Sequence, residues 1–226
     1  MPERSTRADN SAEVDGPEAT RLARTYLEAL RAADTAGAYR VASRALSGGM
    51  SLAALYQRVI TPAMHELGRL WEEGAITVAD EHMATALTHR VLGALRPSAF
   101  THPTREADSP KPRAMLAAVQ GEQHVLGLRM AADLLEEAGY RAIYLGADVP
   151  TPDLLQAIEA LPADLLALSA TMPESALTLE EVVVGVRGLH PRLCLIVGGQ
   201  AATALRVRGA TPVDDLELLD ERVRSP

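Results

Sequence analysis

The sequence predicts two domains of different build: an N-terminal four-helix bundle, then a doubly wound parallel sheet with helices on its faces. Three observations carry this expectation. Apolar residues recur at helical spacing over residues 17–100. A stretch rich in Pro and charge, THPTREADSPKPR at 101–113, then interrupts the pattern. From residue 114 to residue 226 short apolar runs alternate with helical stretches, as strands joined by crossover helices do.

Each element follows in order. Residues 1–16 are polar and charged, with no apolar core that would make a signal peptide, and read as a disordered leader. Leu22, Tyr26 and Leu30 mark a first helix, and Ala38, Val41 and Leu46 a second. Leu52, Leu55, Val59, Met64 and Leu67 mark a third, and Met83, Ala86, Leu87, Val91 and Leu95 a fourth. Asp34, Gly48-Gly49 and Gly74 separate them. Pro62 predicts a kink in the third helix, because it lacks an N–H and its ring crowds the carbonyl four residues back. Thr77 opens the fourth with Asp80 three residues on, a capping box in which Asp replaces the usual Glu or Gln. Residues 101–113 are expected to be the linker. AMLAAVQ, RAIYLGA, DLLALSA and LCLIVGG then read as strands, with DLELLD a weaker fifth. Such a sheet is flavodoxin- or Rossmann-like, and its ligand site is expected at the carboxyl ends of the strands.

Composition narrows the function. The chain of 226 residues is 47% hydrophobic, enough for a real core, and 30 acidic against 22 basic residues give a net charge of -8. A surface that tracks phosphates is therefore not expected, nor is direct DNA binding. The single cysteine, Cys194, excludes an internal disulfide framework, and its place in LCLIVGG predicts a buried small hydrophobe. No run of 18 apolar residues supplies a membrane span, so a cytoplasmic protein is expected. There is no Gly-x-Ser-x-Gly elbow, Gly-x-Gly-x-x-Gly turn or Walker loop, so an enzyme in its own right is not expected.

Two stretches carry chemistry. In GEQHVLG, 121–127, His124 lies in a strand-to-helix loop where its imidazole can meet a metal, and Glu122 can accept its other N–H. A loop histidine taken alone is more often merely solvated. The second stretch, LWEEGAITVADEHMATALTHRV at 70–91, holds the only tryptophan, Trp71, and ten positions later the adjacent pair Glu81-His82. Taken alone these read as bundle core and a solvated helix start. A metal site of His65, His82 and His89 is weaker, since no His-Glu-x-x-His or cysteine pair accompanies them.

Glu122-x-His124-x-x-Gly127, Ser169 and Gly198-Gly199 together resemble the cobalamin-binding signature, usually written Asp-x-His-x-x-Gly, Ser-x-Leu and Gly-Gly. The departures are Glu122 for Asp and Thr171 for Leu. The resemblance implies base-off, histidine-on binding, with His124 as the lower axial ligand of cobalt. Ser169 would then hydrogen-bond the displaced base, while Gly127, Gly198 and Gly199 leave room for the nucleotide tail.

Trp71-x9-Glu81-His82 is similar to the motif of the adenosylcobalamin-dependent light-sensing repressors. It implies that the bundle covers the upper face of the corrin, with Trp71 packed over the upper ligand, Glu81 bonded to a polar edge and His82 close by. Two features depart from that family. Only residues 1–16 precede the bundle, too few for a helix-turn-helix module, so output is expected through a signalling partner or self-association. The residue after the tryptophan is Glu72, where those repressors often carry a histidine that captures cobalt after photolysis. Three functions stay open: a light sensor whose domain packing changes on photolysis, a corrinoid methyl carrier of a methyltransferase system, and a photocobilin-like sensor with biliverdin held non-covalently as second chromophore. The light sensor is the favoured reading.

Overall fold

The computed structural model describes residues 16–99, 111–205 and 207–224. The expected leader and linker therefore lie almost wholly outside the described residues. The chain divides into two compact units between Val91 and Leu92, inside a long helix.

The first unit contains α1 (Gly16–Arg31), α2 (Thr35–Ser47), α3 (Leu52–Leu55), a π-helical turn (Tyr56–Ile60), α4 (Thr61–Glu72) and the start of α5 (Val78–Ala99). Its core keeps most of the apolar stripe read from the sequence, with Tyr26, Leu30, Leu55 and Leu67 essentially solvent-free, but α2 buries Ala38, Ala42 and Ala45 rather than Val41 and Leu46, and Ala86 is exposed. Local polar groups fix the helix starts. Asp34 accepts from Gly37 N at 2.8 Å, and the Ser51 hydroxyl accepts from Ala54 N at 3.1 Å.

At α5 the expected capping box forms with Asp in place of Glu. Asp80 accepts from Thr77 N at 2.9 Å and from the Thr77 hydroxyl at 2.7 Å, while Asp80 N donates back to that hydroxyl at 3.3 Å. The bonds from Thr77 hold the Asp80 carboxyl below its ordinary range.

Pro62 acts one turn earlier than expected. The preceding turn widens so that Thr61 N–H reaches the Tyr56 carbonyl, five residues back, and Pro62 falls in the first turn of α4, where a missing N–H is tolerated. A polar relay crosses the apolar interior of this unit. The Tyr26 hydroxyl donates to the Thr88 hydroxyl at 3.3 Å, and that hydroxyl donates to Met64 Sδ at 3.4 Å. Burial pushes the Tyr26 phenol up to about 12, the bond with Thr88 working against the rise.

The second unit is a five-stranded, all-parallel sheet in the order β2-β1-β3-β4-β5. Its strands are β1 (Arg113–Val119), β2 (Arg141–Val149), β3 (Leu165–Ser169), β4 (Cys194–Gly198) and β5 (Thr211–Val213). The helices are α6 (Leu126–Glu137), α7 (Thr151–Ala160), α8 (Ala176–Leu189), α9 (Gln200–Leu205) and α10 (Leu219–Arg224).

Alternate residues of the central strands, Met115, Ala117, Leu166, Leu168, Leu195 and Val197, join the core with α7, α8 and α9. The intervening Ala114, Leu116, Leu165 and Ala167 are equally buried. Burial on both faces explains why these strands read as continuous apolar runs rather than as alternating ones.

Two expectations are corrected here. DLELLD is not a strand: Asp215 accepts from Glu217 N at 2.8 Å and starts a 3₁₀ turn that leads into α10. The fifth strand is the three-residue Thr211–Val213. Cys194 is half-buried at the first position of β4 rather than a buried core residue, and burial raises its thiol, Arg187 nearby lowering it in part. Among the described residues no helix is long and apolar enough to cross a membrane.

Candidate functional site

In the order β2-β1-β3-β4-β5 the chain reverses direction across the sheet between β1 and β3, and the crevice beyond the carboxyl ends of those strands is where such sheets bind ligands. The loops leaving β1 and β3 bring together His124, Glu122, Thr171 and Met172. Glu122 is fully buried, and each of its oxygens serves one loop. Oε1 accepts from His124 N at 2.8 Å and meets His124 Nδ1 at 2.7 Å. Oε2 accepts from Thr171 N at 2.6 Å and from Met172 N at 2.9 Å.

Burial alone would raise the Glu122 carboxyl, but the bonds from Met172, His124 and Thr171 outweigh it and hold the group below its usual value. Glu122 is thus an anion, able only to accept. In a neutral His124 ring the proton would therefore sit on Nδ1, which would leave the Nε2 lone pair available on a side chain that is 57% exposed. This is the donor arrangement of a metal-ligating histidine backed by a carboxylate.

The neighbouring residues of the signature occupy the same rim. Ser169 ends β3, pairs in register with Gly198 and is only 6% exposed. A Cβ at Gly127, near the start of α6, would meet nothing within 4 Å, and one at Gly198 would make only ordinary contact with the Val213 carbonyl at 3.5 Å. Gly199 has a different reason to be glycine. Its φ is +96°, and a Cβ there would fall on the Ala170 carbonyl. The turn after β4 is thereby allowed against the turn after β3, where Ala202 N donates to the Ala170 carbonyl at 3.2 Å.

One residue of this region was not singled out by the sequence. Asp148, near the end of β2, accepts from Gly121 N at 2.7 Å and from the Gln123 amide at 3.3 Å, and its own N–H donates to the Glu122 carbonyl at 2.9 Å.

The residues of the second motif lie in the other unit. Trp71, at the last turn of α4, is 47% exposed. Glu81 accepts from the Thr85 hydroxyl at 2.8 Å and meets His82 Nδ1 at 2.6 Å, so His82 also turns its Nε2 outward. Among the described residues no group of three or more His, Cys, Asp or Glu is placed to hold a metal ion, which leaves the alternative of His65, His82 and His89 unassembled.

Comparison with known proteins agrees with both halves. A model described as "B12 binding domain" matches residues 112–216, and a second with the same description matches residues 22–96. The HTH-type transcriptional repressor CarH of Myxococcus xanthus is 33% identical over 199 residues, which cover 84% of this chain and 64% of the repressor. The chain therefore spans a little under two thirds of that relative's length. Trimethylamine corrinoid protein 1 of Methanosarcina acetivorans is 21% identical over 168 residues, 74% of this chain and 77% of the relative. Among solved structures, the Methanosarcina barkeri monomethylamine corrinoid protein superposes with a TM-score of 0.71 at 18% identity, covering 92% of this chain and 97% of that one. That last likeness shows the fold alone.

Proposed function

The chain belongs with the cobalamin-binding proteins, and from that premise we propose that it is a cobalamin-dependent light sensor. The observation that carries the proposal is the joint presence of Trp71-x9-Glu81-His82 and the Glu122–His124 loop in one chain. The 33% identity to the repressor extends over 84% of the chain and so through both units, which supports the reading.

Several residues have roles in this proposal. Nε2 of His124 would hold cobalt, and Glu122 would fix the orientation of its ring. The corrin would supply the other donors to cobalt, so a single imidazole from the chain would suffice, and among the described residues no group of three or more His, Cys, Asp or Glu is placed to hold a metal ion. Ser169 bonds the displaced base, with Gly127, Gly198 and Gly199 beside the nucleotide tail. Trp71, whose indole is 47% exposed, would contact the upper ligand, and Glu81 and His82 would offer that ligand a polar edge. When bound, adenosylcobalamin supplies a cobalt–carbon bond that light can break. Illumination then alters association, either with a second copy or with a signalling protein. None of the comparisons points to a bilin, and the proposal needs none.

A corrinoid methyl carrier is the second reading, favoured by the relatives named as corrinoid proteins, which match across both units. Absorption spectra and gel filtration of the chain loaded with adenosylcobalamin in the dark, before and after illumination, separate the two. The light sensor requires a photoproduct spectrum together with a changed elution volume, alone or with a candidate partner. Preferred binding of methylcobalamin, with transfer of its methyl group to a thiol acceptor and no light-dependent change in association, would make the chain a carrier.

A further inference from the structure

We infer that Asp148 is a positioning residue for His124, a role that rests on the reading of His124 as the cobalt ligand. The edge strand β2 is irregular only toward its carboxyl end. Along β1 and β2 the pairing is regular from Arg113↔Arg141 to Leu116↔Tyr144, then β2 gains a residue before Ala117↔Gly146 and another before Val119↔Val149. Two bulges thus fall within the last turns of backbone before the ligand rim, where bulges typically re-aim a side chain.

Their product is a residue in unusual conformation. Asp148 has a φ of +52°, left-handed backbone in a residue with a Cβ, and Gly146 just before it has a φ of +93°. Such strain persists where surrounding bonds hold it in place. Here three such bonds run to the His124 loop. The Asp148 carboxylate accepts from Gly121 N at 2.7 Å and from the Gln123 amide at 3.3 Å, and the Asp148 backbone N–H donates to the Glu122 carbonyl at 2.9 Å. Glu122 is gripped by its side chain from the β3 loop and by its main chain from β2. The imidazole that Glu122 orients is thereby fixed from two strands, and Asp148 supplies the second. No bond from Asp148 reaches His124 itself, so it acts through the loop and not as a ligand.

The test compares Asp148→Gly, Asp148→Asn and His124→Ala in the full chain. Glycine relieves the left-handed strain and removes the acceptor, so the fold is kept while the loop is released. Asparagine tolerates the same φ and keeps an oxygen for Gly121 N. Amide exchange of Gly121 in the cobalamin-free protein should quicken in Asp148→Gly and stay at the parent rate in Asp148→Asn. Affinity for methylcobalamin in the dark should fall about tenfold in Asp148→Gly, the lower end for loss of an outer partner of a metal ligand, and recover in Asp148→Asn. The visible band of the bound cofactor should move partway toward that of His124→Ala. If Asp148→Gly binds with parent affinity and spectrum while His124→Ala loses both, Asp148 has no positioning role. If His124→Ala is also unchanged, the ligand reading falls and the inference falls with it.

Discussion

Replacing Glu122 by glutamine keeps the size and shape of the side chain and changes only what its two ends can do. Two donors face each oxygen: His124 N and the His124 ring on one, Thr171 N and Met172 N on the other. A carboxamide has one oxygen, so its NH₂ is turned against two backbone donors in one orientation, and in the other against His124 N while His124 Nδ1 can accept from it by a change of tautomer. One to two hydrogen bonds to a buried anion are lost, at about 1.5–3 kcal/mol each, for a total of about 1.5–6 kcal/mol. Against a typical domain stability of about 5–15 kcal/mol that is a large fraction. Urea denaturation of the cobalamin-free chain, followed by circular dichroism, should show the transition of the sheet domain at markedly lower denaturant. The deficit should also depend on pH. Because the folded-state carboxyl lies below its usual 4.5, the stability it contributes is present above that value and is lost as pH falls through the folded value. Parent and Glu122→Gln should therefore converge under acid conditions. A difference under about 1 kcal/mol at neutral pH, within the range of ordinary surface changes, would refute the four-bond anion.

Three other substitutions probe separate parts of the chain. Gly199→Ala places a methyl group on the Ala170 carbonyl in left-handed backbone, and should cost about 2–4 kcal/mol from strain and overlap together, read as a lowered melting temperature. Trp71→Ala removes a half-exposed indole, so the melting temperature should change little while the preference for adenosylcobalamin over methylcobalamin, measured by titration in the dark, falls. Tyr26→Phe deletes the donor to Thr88 but leaves Thr88 bonded to Met64, and should destabilise the bundle by about 1 kcal/mol in thermal melts.

The elements that could be read from the sequence are those whose cause is local or periodic. The bundle helices follow from apolar spacing, and the Thr77–Asp80 box follows from two residues three apart. Three strands, β1, β3 and β4, announce themselves because burial on both faces demands unbroken apolar runs, whereas the edge strand β2 is only partly buried along a run that is still largely apolar. The fifth was misplaced for a physical reason. Leu216, Leu218 and Leu219 fit either a short strand or a helical turn, and the deciding bond from Glu217 N to Asp215 is a side-chain capping contact that a periodicity does not reveal. Thr211–Val213, with a proline at its centre, is too short to carry a pattern and is tolerated at the sheet edge. Within the site, the Glu122–His124 contact was legible because it spans two residues. The bonds from Glu122 to Thr171 and Met172 span 49 and 50 residues and depend on β1 and β3 being neighbours. Asp148 was hidden for the same reason, with the added difficulty that a bulge is a property of paired strands rather than of one.

The π-helical turn before Pro62 has a consequence for how this chain can vary. It amounts to one residue more than a regular helix would need, and each residue in a helix turns the next by about 100°. The compass bearing of everything downstream on α4, Trp71 included, is therefore set by that single insertion. Deleting one residue from Tyr56–Ile60 and replacing Pro62 would restore a plain helix and swing the indole about a quarter-turn around its axis without altering any side chain near it. Length in this turn is an adjustable dial: gaining or losing one residue here turns the bearing of Trp71 from ten or more positions away.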